Sequence, residues 1–195
     1  MSRISHFALI LSLIGALAAS ASAVPIWTEG VDGDLSNDRL APTSLGVLGN
    51  GTHGISGTTV VGDRDYFTIV IPSGSVLSQI VLTQFDQPLE LAFLAVQSGT
   101  TITVDPLAPS AATLLGWVHP SAALLGTDIL DDMGAGGGAI GFLPPLGSGT
   151  YSFWLQQTGG AVIGYGFDFV VVPEPAAAVM LALGLAGLAV AGRRR

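Results

Sequence analysis

The sequence predicts an all-β fold, an antiparallel β-sandwich or jelly roll, carried between an N-terminal signal helix and a C-terminal transmembrane helix. Three observations predict it. Apolar residues in the middle of the chain recur with a period of two. Gly, Pro, Asn, Asp and Ser fill the gaps between these runs. No stretch between the two ends sustains a helical period. Short alternating strands each have one face to bury, and two sheets packed face to face bury them.

The strands follow in order. In residues 65–72 Phe67, Ile69 and Ile71 share a face. Residues 76–84 are β-branched and apolar, with Gln79 and Thr83 on one side. Leu89, Leu91, Phe93 and Ala95 lie opposite Glu90. Tyr151, Phe153 and Leu155 lie opposite Ser152 and Gln156, and Tyr165, Phe167, Phe169 and Val171 opposite Asp168. The core is therefore expected from 65–84, 89–97, 149–157 and 162–172. Residues 108–115 hold one helical turn at most. The glycine run 134–141 reads as a mobile loop; with no helix after it and no Lys, it is not a phosphate cradle.

Composition excludes several classes. The chain has 195 residues, a net charge of −8 and no Cys. There is thus no disulfide framework, no thiolate nucleophile and no Cys-based metal site. All six basic residues are Arg, against 14 acidic ones, which is a poor balance for holding phosphates and argues against nucleic-acid binding.

Both ends read as addresses. Arg3 precedes the apolar stretch 7–19, and Ala21-Ser22-Ala23 supplies the small residues that a signal peptidase cuts after. Cleavage is expected between Ala23 and Val24. At the other end Pro173-Glu174-Pro175 precedes 17 uncharged residues, 176–192, followed by Arg193, Arg194 and Arg195. As a helix those residues span roughly 25 Å, and snorkelling Arg side chains make up the difference from a ~30 Å hydrocarbon core. The three Arg hold that flank in the cytoplasm. The signal also starts there, so everything between is exported. The divisions expected are a signal peptide, 1–23; a β-sandwich, 24–172; and a sorting tail, 173–195. The middle keeps only Arg39 and Arg64 against 13 acids, a balance of −11.

The triplet, the apolar span and the basic terminus, in that order, resemble the PEP-CTERM sorting signal of bacterial envelope proteins. The resemblance implies recognition and removal of the tail by an exosortase-type membrane protease, with Pro173, Glu174, Pro175 and the three terminal Arg as the signal. It also implies transient residence in the inner membrane of a Gram-negative bacterium that makes exopolysaccharide or biofilm matrix, and delivery to the outer surface or that matrix. The two prolines give the reading a physical basis, since they keep the segment before the span stiff and extended. A second resemblance rests on Asp65-Tyr66-Phe67 and on Gly149-Thr150-Tyr151-Ser152-Phe153. These look like elements of the bacterial pre-peptidase C-terminal domain, a small β-sandwich appended to secreted enzymes.

Catalytic chemistry finds little support. After processing only His53 and His119 remain, each beside a turn residue, and neither an HExxH nor a G-x-S-x-G motif occurs. No pair of carboxylates stands out as a glycosidase pair. The chain is not expected to be an enzyme. No cofactor is demanded; calcium is the one candidate. Asp32, Asp34, Ser36 and Asp38 alternate through a short loop and offer the hard oxygen ligands that ion takes. The loop departs from an EF-hand at Asn37, where Gly is required, and at Thr43, where the bidentate Glu is missing. A second pair, Asp63 and Asp65, precedes a core strand and is placed to close on that loop; Asp128, Asp131 and Asp132 form a third group. Trp154 alternates out of phase with Tyr151, Phe153 and Leu155, so it is the candidate outward face for stacking a sugar. The expected function is a structural or adhesive component of the envelope or matrix. The alternative is a calcium-dependent carbohydrate-binding module with extracellular polysaccharide as partner.

Overall fold

The structure, a computed structural model, describes residues 22–175 together with Met180 and Leu183. The expected signal helix and most of the sorting tail lie outside the described residues. Among the described residues no helix is long and apolar enough to cross a membrane.

The described chain forms strands β1 (Val24–Thr28), β2 (Thr43–Val47), β3 (Gly51–Thr59), β4 (Arg64–Ile71), β5 (Ser75–Phe85), β6 (Ala92–Ser98), β7 (Gly116–Val118), β8 (Gly149–Gln157) and β9 (Ile163–Pro173). Two single-turn helices, α1 (Glu29–Asp32) and α2 (Leu130–Gly134), interrupt them. One sheet has the order β1-β3-β9-β5 and the other β2-β4-β8-β6-β7. The two sheets pack as a sandwich. Most pairs are antiparallel, but β1 runs parallel to β3 and β2 parallel to β4. Because β1 and β2 belong to different sheets, residues 29–42 cross from one sheet to the other at one end of the molecule.

The period-two pattern builds the core as expected. Phe67, Ile69 and Ile71 of β4, Tyr151, Phe153 and Leu155 of β8, and Tyr165, Phe167, Phe169 and Val171 of β9 all face the inter-sheet core. The sheets meet through aromatic contacts. Phe67 and Phe153 stack within one sheet at 5.1 Å, and Phe169 of the other presents its edge to them at 6.1 and 5.4 Å. These are the geometries the ring quadrupole favours.

Two expectations change. Leu89 and Leu91 do not extend the face of β6: Leu89 is 96% exposed, Leu91 is also exposed, and the strand starts at Ala92. The pattern from Leu89 to Ala95 spans a turn, so its parity carries no meaning there. The core face of β6 is instead Leu94 and Val96. The glycine run 134–141, expected as a mobile loop, is instead hydrogen-bonded into the domain. Phe142 N–H donates to the Gly134 carbonyl, and Ile140 and Gly141 donate to the carbonyls of Leu114 and Leu115. The glycines make this approach possible. A Cβ on Gly136 would lie 2.6 Å from the Trp117 carbonyl oxygen, and one on Gly116 would collide with the Met133 carbonyl.

The long segment between β6 and β8 folds over the outer face of the second sheet. There Ile102, Val104 and Leu114 bury Tyr66, Ala95 and Trp154 in a second apolar cluster. Stability is expected to reside in the inter-sheet core. Phe153→Ala removes the stacking partner of Phe67 and leaves a cavity, and should cost ~3–5 kcal/mol in urea unfolding, whereas Leu89→Ala should stay within ~0.5 kcal/mol.

Candidate functional site

Asp65 is the second residue of β4, and its parity is that of Phe67, Ile69 and Ile71. The alternation that directs those residues inward therefore directs a carboxylate inward as well. Asp65 is 0% exposed, and neither of its oxygens has a hydrogen-bond partner. An ionised carboxylate in that position costs several kcal/mol unless something compensates it.

Its neighbours are other acids. One carboxylate oxygen each of Glu29, Asp34 and Asp65 come together within 4.8 Å of one another. Glu29 belongs to α1, Asp34 to the loop after it and Asp65 to the opposite sheet. Glu29 is held from three sides. Thr58 N–H donates to Oε2 at 2.7 Å, the Tyr165 hydroxyl of β9 donates to Oε1 at 3.0 Å, and the carboxylate lies over Gly57, where a Cβ would collide with it. Asp63, in the turn before β4, accepts from the Asn37 side-chain amide at 3.1 Å, and Asn37 Oδ1 accepts Arg64 N–H at 2.7 Å. Asn37 thereby ties the crossing segment to the β3–β4 turn. A groove of about 540 Å³ opens beside the cluster, walled by Thr28, Asp34, Ser56, Thr58, Asp63 and Gln84.

Among the described residues nothing basic enters this end of the sandwich. The Arg39 guanidinium donates to the carbonyls of Ile102 and Thr103, and that of Arg64 to Gln156. Burial is the main reason the Asp65 carboxyl is pushed up to about 8, with the charges of Glu29 and Asp63 adding to it. Burial also raises Glu29, against the opposing hydrogen bonds from Thr58 and Tyr165, and raises Asp63, which the Asp34 charge raises further. The Tyr165 hydroxyl is raised by the same desolvation and by the charges of Asp65 and Glu29.

The four residues expected to ring a calcium ion do not act together. Asp34 alone joins the cluster. Asp32 Oδ2 accepts Thr28 N–H at 2.8 Å, Asp38 Oδ1 accepts Leu40 N–H at 2.8 Å, and Ser36 Oγ accepts Asp38 N–H at 3.1 Å. Three of the four thus serve their own turns, as short polar side chains do. The second pair, Asp63 and Asp65, does close on the first loop. In the third group, Asp128 Oδ1 accepts from the N–H groups of Ile80 and Leu130. Glu29 was not anticipated, since an acid in the irregular segment 29–42 between two strands has no sequence signal of its own. The signal for Asp65 was present: an acid in phase with a core face.

Trp154 does lie on the outer face, but it is 1% exposed and cannot present a ring to a sugar. Residues 102–117 cover it, and it packs against Tyr66 at 6.0 Å and Phe93 at 4.9 Å. The expectation fails because a strand's parity reports the face and not what covers it. His53 and His119 are occupied by the backbone carbonyls of Gly49 and Ala92, at 2.7 and 2.8 Å.

Fold and site together define a small β-sandwich with an acidic end, whose last strand runs into the triplet Pro173-Glu174-Pro175. Residues 171–195 match the PEP-CTERM protein-sorting motif. The chain is therefore an exported, exosortase-sorted protein, anchored transiently in the membrane and processed there by that protease. No curated protein matches it. Among solved structures it is similar to Aeromonas hydrophila PliG, a periplasmic lysozyme inhibitor of g-type lysozyme. Identity is 13% over 67% of this chain and 96% of that one, with a TM-score of 0.35.

The raised Asp65 carboxyl has a consequence for stability. Its proton is held more tightly in the folded state, so its contribution is full below pH 3.8, where the unfolded carboxyl is also protonated, and is lost as the pH rises through about 8. In chelator, Tm should fall across that window. Asp65→Asn should flatten this part of the slope and raise Tm at the alkaline end, read by subtracting the variant's pH profile from the wild-type one.

Proposed function

We propose that this protein is a non-catalytic structural or adhesive component of the outer surface or extracellular matrix of a Gram-negative bacterium. The observation that carries the reading is the continuity of the sandwich with its sorting signal. Pro173 is still paired with Ser75 at the end of β9, and Glu174 N–H donates to the Gly74 carbonyl at 2.9 Å. β9 lies between β3 and β5 and supplies Tyr165, Phe167, Phe169 and Val171 to the core. Removing the tail at the triplet thus releases a sandwich with no linker attached. Such a body suits a building block of a matrix.

Other features agree with this reading. Both histidines are engaged by backbone carbonyls rather than by a nucleophile. The sparse positive charge leaves an acidic surface, suited to a hydrated polysaccharide matrix more than to an anionic partner. Signal peptidase trims the other end ahead of β1. Burial of Trp154 removes the stacking platform on which the carbohydrate-module alternative relied.

Intact mass of the native protein, taken from membrane, outer-surface and matrix fractions, tests the reading. The expected species begins at Val24, ends within residues 173–175 and is recovered with the matrix. A species that retains Arg195 and stays with the inner membrane would overturn it.

A further inference from the structure

We propose that Glu29, Asp34 and Asp65 form a calcium site that clamps the segment joining the two sheets across the open end of the sandwich. The inference does not depend on the matrix role. It starts from the bare buried carboxylate. Asp65 is fully buried, has no hydrogen-bond donor on either oxygen and points into a cluster of two further carboxylates. Two like charges at that distance add to its cost rather than offset it. The described residues bring no cationic side chain to the cluster: both Arg of the domain bond elsewhere. A bound cation supplies the missing charge and gives the bare Asp65 carboxylate a partner.

The ligand chemistry selects the ion. The cluster offers oxygen alone, with no imidazole or thiolate, which suits a hard cation. Calcium takes oxygens at about 2.3–2.6 Å, so two ligands on opposite sides of one ion lie up to about 5 Å apart. The three oxygens, all within 4.8 Å of one another, fit around one such ion. Magnesium, at about 2.0–2.1 Å and with strict octahedral demands, fits an irregular three-carboxylate set less well. Asp34 is exposed and faces the adjoining groove, which gives the ion an entry path and room for waters to complete its shell.

The ligand positions state what the ion would do. Glu29 and Asp34 lie on the crossing segment between β1 and β2. Asp65 lies near the start of β4 of one sheet, and Tyr165 of β9 in the other sheet holds Glu29 by its hydroxyl. One ion thus joins the crossing segment to β4 and, through the Tyr165–Glu29 hydrogen bond, to the other sheet, at the end where the edge strand β1 attaches. Calcium modules outside the cell work at ~10⁻⁴–10⁻³ M. A site of this strength would fill after export, so that the clamp closes once the protein has left the cytoplasm.

The test uses the full chain in detergent with calcium alone as probe. At a calcium concentration about ten times Kd, Tm should rise by roughly 3–6 °C over the value in chelator. Terbium should give luminescence sensitised by Tyr165 and by Trp27, whose Nε1–H donates to the Gly33 carbonyl one residue before Asp34. Asp34→Asn, on an exposed residue, should keep the metal-free Tm and weaken calcium binding at least about tenfold. Asp65→Asn should abolish the response while raising the metal-free Tm. A folded wild-type protein with neither a Tm shift nor a terbium signal overturns the site. So does a response that both variants retain in full, and an equal response to magnesium overturns its assignment to calcium.

Discussion

The structure depends on the contact between Phe67 and Phe153 of one sheet and Phe169 of the other. The three rings sit where β4, β8 and β9 face each other, and the remaining core residues arrange themselves around them. A 149-residue domain without disulfides has only such burial to hold it together. Each buried ring contributes on the order of 2–3 kcal/mol relative to leaving it in water. The strict period of two in β4, β8 and β9 follows from this requirement, because a one-residue slip in register would turn every ring outward.

The same requirement creates the acidic end. Asp65, second in β4, stands in the phase of its core face, so the strand cannot bury Phe67 without also burying that carboxylate. Glu29, seated over Gly57, and Asp34 then close over it from the crossing segment. A buried cluster of like charges opposes folding, and a domain gains nothing in stability from keeping one bare. Tyr165 and Thr58 hold Glu29 in place by hydrogen bonds that leave Asp65 unsatisfied. The geometry is therefore ordered around a charge that this end of the sandwich does not neutralise, which is the pattern of a prepared site.

The opposite feature appears at the C-terminal end of the sandwich. There β9 enters the triplet without a spacer, and Glu174 is still bonded to the β4–β5 turn. Sorting and folding meet at Pro173: it is the last residue of the strand and the first of the signal. Proline suits both, because it ends a ladder by lacking an N–H and keeps the chain extended.

The address of this protein, its fold class and the inward faces of β4, β8 and β9 follow from the chain read alone. Each of these is written in local order: a motif read along the chain, or a parity read along one strand. Parity even marked Asp65 as inward. Where separate segments meet is set by the closed fold. It brought Glu29 to Asp34 and Asp65 from a single-turn helix with no signal of its own, and sent Asp32, Ser36 and Asp38 to serve turns. It laid residues 102–117 over Trp154 and stitched the glycine run against residues 114–117. It also added β1 and β2, which are only five residues long, and β3, whose Gly- and Thr-rich stretch carries little alternation. The physical reason is common to all of these. Periodicity fixes which way a side chain points, but the charge or cover it meets comes from residues far along the chain, and only the closed sandwich sets that distance.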